Sequence, residues 1–168
     1  MRRSATDRRR QKEGDNIILQ EVHSTELDKW IVEHHYLHST PAGAVLRLEF
    51  LDDNRQRIGA MMWGRPNSPK IDQKHMLELT RMVFIDDTPH CTESHALSMA
   101  RKYIRKHKPQ IIGILAYSST AEKHKGTIYL ADGWFKVSET KSENGSWENR
   151  PGRTNRDLST KLKFARTP

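Results

Sequence analysis

The chain has 168 residues, with 29 lysines and arginines against 21 aspartates and glutamates, for a formal net charge of +8. That length fits one domain able to bury a core, and the positive balance favours an anionic partner, nucleic acid before a membrane surface. Cys91 is the only cysteine, which excludes an intrachain disulfide and a thiolate metal cluster, and no apolar run reaches membrane-spanning length.

Residues 1–15 carry Arg2, Arg3, Arg8, Arg9, Arg10 and Lys12 with almost nothing to bury, and read as a flexible basic arm, either a nucleic-acid tether or a solvated tail. No apolar core follows these charges, so they do not form a secretion signal, and a cytoplasmic location is expected. Order is predicted to begin at Ile17-Ile18-Leu19, a short strand. Thr25 can cap a helix with an apolar stripe of Leu27, Trp30, Ile31 and His34, ending before the turn at Pro41-Ala42-Gly43.

Val45 to Leu51 and Ile58 to Trp63 read as a hairpin around Asp52-Asp53-Asn54, followed by a loop rich in Pro and Asn from Arg65 to Lys74. Met76 to Ile85 is the longest strand-like run, interrupted by Glu78 and Arg81. Glu93 to His107 predicts a helix facing Ala96, Leu97, Ala100, Tyr103 and Ile104 inward. Ile111 to Tyr117 predicts a strand buried on both faces. A short helix around Tyr129 turns at Gly133 into a strand from Trp134 to Thr140. Lys141 to Asp157 is polar and reads as a mobile loop, and Leu158 to Phe164 as a last strand.

This order predicts a single α/β domain over residues 16–168: a central mixed, twisted sheet flanked by helices on both faces, with parallel pairing across the central helix.

Tyr129 is the most informative side chain. A phenol one helical turn before a tight turn, at the edge of a sheet, can donate a proton to a departing thiolate; the competing reading is a buried tyrosine in an ordinary helix-to-strand unit. His34, His35 and His38 have spacings that could converge on a metal, but adjacent His34 and His35 cannot share an ion on a regular helix and no carboxylate or cysteine lies nearby in sequence, so no metal is expected.

The element order resembles the GNAT acyltransferase fold. The resemblance implies an acetyl-CoA or related acyl-CoA donor, its pyrophosphate at the helix N-terminus after the fourth strand. The matching positions here are Val83 and Cys91, Thr92, Glu93, Ser94 and His95. Pro89, Thr92 and Ser94 depart from the family's Arg/Gln and small residues, so a plain Thr-capped helix is the alternative there.

Three segments resemble, more closely, the Mom proteins of bacteriophages, a GNAT branch that modifies adenine in DNA. They are His35-Tyr36 within His34-His-Tyr-Leu-His38, Leu77-Glu-Leu-Thr-Arg-Met82, and Tyr117 followed by His124, Gly126-Thr-Ile-Tyr129 and Trp134; the likeness spans about residues 34–135. Many relatives have an acid after the tyrosine that ends the fifth strand, where this chain has Ser118-Ser119.

The resemblance implies transfer of a methylcarbamoyl-type group to the exocyclic amine of adenine, protecting phage DNA from restriction, in a host bacterial cytoplasm. That amine is conjugated to the ring and needs a base as well as a polarised donor. Glu78 is the first candidate base, or else pairs with Arg81 or faces solvent; His35 is the second. Tyr36 stacks on the base, donates to the acyl oxygen, or is a core aromatic. Arg81 meets a phosphate or oxyanion, or forms a structural salt bridge. Tyr129 is the general acid. DNA and an acyl-CoA are the expected partners. Trp63, Tyr36 and Trp147 are candidates to stack on a base extruded from the duplex, a core position fitting Trp63 equally well, and the arm, the 141–156 loop and Arg166 to hold phosphates. Two rivals remain: a GNAT N-acetyltransferase acting on a small amine, a protein or a hypermodified base, and a non-catalytic basic DNA-binding protein.

Overall fold

The computed structural model describes residues 16–120, 125–140 and 159–168. The basic arm, the loop expected over 141–157, His124 and Trp147 lie outside the described residues. Among those described, the order is β1 (Ile18–Glu21), α1 (Glu26–His34), β2 (Ala44–Leu51), β3 (Arg57–Gly64), β4 (Met76–Phe84), α2 (Thr92–His107), β5 (Gly113–Ser119), α3 (Thr127–Ala131), β6 (Phe135–Thr140) and β7 (Lys161–Arg166).

The strands form one mixed sheet in the order β1-β2-β3-β4-β5-β7-β6. Only β4 and β5 are parallel, joined by the α2 crossover as predicted; the other neighbours are antiparallel. Helices cover both faces. On one face α2 and α3 bury Ala96, Leu97, Ala100 and Ile104 with Trp63, Leu77, Leu79, Ile114 and Phe164. On the other, Leu27 and Ile31 of α1 pack on Ala60 and Met62.

Local chemistry adjusts several expected boundaries. The fifth strand begins at Gly113, with Ile112 66% exposed just before it, and runs on through Ser118 and Ser119, which pair with Leu162 and Lys161. Thr25 occupies the N-cap of α1 without a side-chain cap bond, and the N-cap of α2 is Cys91, not Thr92. His34 is exposed, outside the apolar stripe of α1. No described helix is long and apolar enough to cross a membrane.

One irregularity positions the site. The β3–β4 register slips between Met62 and Trp63, leaving Thr80 as the extra residue of a bulge, its hydroxyl donating to the Met62 carbonyl at 3.0 Å. A bulge bends its strand and reverses the alternation of faces beyond it. Leu77 and Leu79 face α2, and so do Met82 and Phe84, whereas Val83 packs toward α1. Glu78 and Arg81, three apart and so on opposite faces of a regular strand, are thereby brought to the same face. At the same point β4 leaves β5: their pairing ends at Leu79 and Ala116, although β4 continues to Phe84 and β5 to Ser119.

A candidate active site between parted strands

The parted strands open a cleft of about 750 Å³. Its walls come from both faces of the sheet. Glu78, Arg81 and Tyr117 line it from the α1 side, with His35 and Tyr36 from the chain leaving α1; Tyr129 reaches it from beneath, out of the α2-side core. A closed sheet would separate these two groups.

Glu78 is 4% exposed, and its carboxylate accepts two bonds from one residue: the Asn67 backbone N–H at 2.8 Å and the Asn67 side-chain amide at 2.8 Å. Burial pushes its pKa up, against the opposing pull of Asn67, Lys161 and Lys163. Among the described residues it forms no ion pair with Arg81. The Arg81 guanidinium instead donates to the Ser39 carbonyl at 2.7 Å, the Thr80 carbonyl at 2.6 Å and the Ser39 hydroxyl at 3.3 Å, tying the segment after α1 to β4. Burial lowers the Arg81 pKa, while Tyr36 and Glu78 act in the opposite sense.

His35 is 7% exposed; its Nδ1 accepts the Leu37 N–H at 3.1 Å. A neutral imidazole accepting at Nδ1 carries its proton on Nε2, so this arrangement makes the other nitrogen a donor. Tyr36 stacks on His35 with ring centroids 4.5 Å apart and is 43% exposed, which rules out the core reading for it. His34 and His38 turn their Nδ1 atoms onto the carbonyls of Trp30 and Val32, at 2.8 and 2.9 Å.

Tyr129 is buried between Phe164, stacked at 5.1 Å, and Trp134, edge-on at 5.3 Å. Its hydroxyl has no hydrogen-bond partner among the described residues. Burial, with a smaller contribution from Tyr36, raises its pKa far above that of a free phenol, so it stays protonated at any working pH. Gly126 caps this short helix at φ 70°, and a Cβ there would lie 2.1 Å from the Phe164 ring. Only glycine lets α3 start so close to β7.

A second hollow of about 370 Å³ continues the cleft between the start of α2 and α3, sharing Glu93, Thr127 and Ile128 with it. Of the expected donor-binding positions, Cys91, Glu93 and Ser94 line this groove. Thr92 is buried, its hydroxyl donating to the Pro89 carbonyl at 2.7 Å, and the Ser94 hydroxyl donates to the Cys91 carbonyl at 3.0 Å. The side chain of Val83 packs toward α1, and His95 is exposed outside both hollows.

An acyl-CoA fits this groove in two respects. The part of β4 beyond Leu79 has no β5 partner, leaving its edge for an extended amide chain, and the start of α2, where helix N–H groups lack intrahelical partners, lines the far end. The Glu93 carboxylate on the rim works against an anion there.

The sequence reading missed Asn67, Lys125 and Lys161, all lining the cleft, and gave Tyr117 no role. The alternation Lys161-Leu-Lys163-Phe was a usable signal for a β7 face directed away from the core; nothing in sequence marked Asn67. Trp63 takes the core position, the second of its two readings: fully buried on the α2 side, it cannot stack on an extruded base.

The Mom protein family model matches residues 16–166. The chain is 29% identical over 105 residues to "Methylcarbamoylase mom" of Escherichia phage Mu, a match that covers 55% of this chain and 44% of that relative, so it spans less than half of the relative's length. Among solved structures it resembles the spermidine/spermine N-acetyltransferase SpeG of Vibrio cholerae, with TM-score 0.63 at 10% identity over 92% of this chain and 94% of that one. The ribosomal-protein-S5-alanine acetyltransferase of Vibrio fischeri gives TM-score 0.61 at 12% identity, covering 91% and 93%. A further SpeG structure, in complex with CoA and spermine, gives 0.59 at 10%, covering 90% and 95%. These likenesses establish a GNAT-like α/β fold.

Proposed function

The chain belongs to the Mom protein family, and from that membership and its cleft we propose that it transfers an acyl-like, methylcarbamoyl-type group to the exocyclic amine of adenine in DNA. The observation that carries this reading is the parting of β4 and β5, which lets a buried carboxylate from one face of the sheet and a buried phenol from the other line the same space.

A thioester-type donor that already carries every atom of the transferred group, its nitrogen included, would supply when bound an electrophilic carbonyl carbon and a thiolate leaving group. Glu78 accepts the proton released as the amine nitrogen bonds to that carbon; its raised pKa brings it nearer to working pH, where a base is most effective. Tyr129 gives its proton to the sulfur as the carbon–sulfur bond breaks. The N–H groups of Arg81 not used by Ser39 and Thr80 supply charged donors for a developing oxyanion, with the neutral His35 ring beside them on the cleft wall. Tyr36, exposed at the mouth, offers a ring face to an adenine that has left the stack. Ser118, where the family resemblance implies an acid, places a residue with a hydroxyl on the cleft wall.

On the donor side, β4 beyond Leu79 and the N–H groups at the start of α2 hold the extended chain and its phosphates. Lys125 and Lys161 on the cleft, with Lys163 over the Tyr117 ring at 6.0 Å, hold the phosphates of the acceptor strand.

Nucleoside mass spectrometry on plasmid DNA from cells producing the protein tests this reading. A heavier deoxyadenosine supports it, and the added mass identifies the group. Mass added to a pyrimidine moves the acceptor to another base, and unmodified DNA from cells supplied with the donor removes the DNA reading.

A further inference from the structure

The loop between β3 and β4 is built around its own polar side chains. The Gln73 side-chain amide nitrogen lies 3.0 Å from the carbonyls of Pro66, Ser68 and Ile71. One Asp72 oxygen accepts the N–H groups of Lys74 and His75 at 2.8 and 3.1 Å, and the other meets His75 Nδ1 at 2.7 Å. Gln73 thus ties down Pro66 and Ser68, the two neighbours of Asn67, and Asn67 and Ser68 reach the cleft.

Asn67 grips both oxygens of one carboxylate. Its backbone N–H takes Glu78 Oε2 and its Nδ2 takes Oε1, each at 2.8 Å. Both contacts are donations to oxygen, and such bonds are stronger to an ionised carboxylate than to a neutral carboxyl. With both oxygens engaged, the group is held in one plane, its remaining lone pairs left for the cleft. Glu78 is otherwise faced by Arg81 on its own strand, Tyr117 from β5, and Lys161 and Lys163 from β7, with His35 and Tyr36 on the same cleft. The cations favour its charge but make no hydrogen bond to it among the described residues. Asn67 alone does.

The geometry points to Asn67 as the positioning residue for Glu78: it favours the ionised carboxylate inside a buried wall and fixes the direction in which it accepts a proton. This goes beyond the proposed reaction and rests on it only for the role of Glu78 as base. The loop from Arg65 to His75 is then part of the machinery, although no residue of it carries out chemistry.

The test reads the Glu78 carboxyl directly. The protein is labelled with ¹³C-glutamate, the Glu78 side-chain resonance is assigned by Glu78→Gln, and its midpoint is followed with pH in wild type, Asn67→Ala and Asn67→Asp. Asn67→Ala should raise the midpoint by about one pH unit, the size of one hydrogen bond to a charged group. Asn67→Asp, which sets a second carboxylate beside the first, should raise it further. Asn67 is an exposed loop residue, and thermal denaturation verifies that both variants fold. In turnover, the acid limb of kcat should move with the midpoint, with KM for DNA unchanged.

A midpoint that stays put in both variants overturns the assignment and makes Asn67 a loop residue only. A midpoint that moves while the acid limb of kcat does not also overturns it, since Glu78 is then not the base being positioned. A midpoint that moves as expected in a protein that leaves adenine unmodified supports the clamp and removes the DNA reading instead, so the two failures are distinguishable.

Discussion

Asp132 accepts the Nε and Nη2 hydrogens of Arg101 at 2.7 and 2.8 Å and the Trp134 indole N–H at 2.9 Å, tying the middle of α2 to the turn that follows α3. The two side chains are only 5% and 10% exposed. Removing one member of a buried pair strands the other without water, which costs about 3–5 kcal/mol. Asp132→Ala should therefore lower the urea midpoint by an amount of that order and, because Tyr129 lies one turn upstream, lower turnover in the protein that remains folded. A loss below about 1 kcal/mol would mean that water replaces the pair.

Tyr129→Phe separates acid chemistry from packing. The ring keeps its contacts with Phe164 and Trp134, and the lost hydroxyl has no partner among the described residues. The melting temperature and DNA affinity should be unchanged while kcat falls by about 10²-fold or more, the usual contribution of a general acid. Because burial holds the phenol protonated, wild type should show no Tyr129-dependent basic limb below the ordinary phenol range. Unchanged turnover removes Tyr129 from the mechanism.

Gly126→Ala tests the seat of α3. The substitution places a methyl group 2.1 Å from the Phe164 ring at a backbone φ of 70°. Positive φ and overpacking each cost about 1–3 kcal/mol, so a clear fall in melting temperature is expected, with altered Phe164 and Tyr129 ring resonances. A variant with wild-type stability would mean that α3 starts elsewhere in solution.

The pH dependence of stability carries the sign of Glu78. Its folded pKa is raised, chiefly by burial, so its contribution is fully present below the unfolded carboxyl range and is lost as pH rises through the folded value. Glu78→Gln should abolish turnover. It should also remove that loss, so the stability difference between variant and wild type shifts in the variant's favour from acid to neutral pH. A pH-independent difference would show that the folded carboxyl titrates as it does unfolded.

Lys161 and Lys163 are predicted to meet the acceptor strand. Replacing both by Ala should weaken DNA binding across all sequences and flatten the plot of log affinity against log salt by about 1.8, roughly 0.9 for each lost phosphate contact. Fluorescence anisotropy across a salt series reads this. An unaltered slope moves the DNA path to another face.

The sequence by itself determined the element order, because apolar periodicity and turn residues act locally: the hairpin at Asp52-Asp53-Asn54, the inward stripe of the long helix and the wholly apolar fifth strand all formed near their expected places. It also marked Tyr129, since a short helix stopped by a glycine before an apolar strand is a pattern of neighbours. Side-chain partners were another matter. Glu78 and Arg81 read as a pair or as two interruptions in a strand, yet one is held by Asn67 and the other by Ser39. Their common face depends on Thr80 slipping out of register against Met62. No local preference of Thr80 dictates that slip; it arises where β4 must stay paired with β3 while leaving β5. The tertiary structure alone decided that the strands part there, and with it that a carboxylate above the sheet and a phenol below it share one cleft.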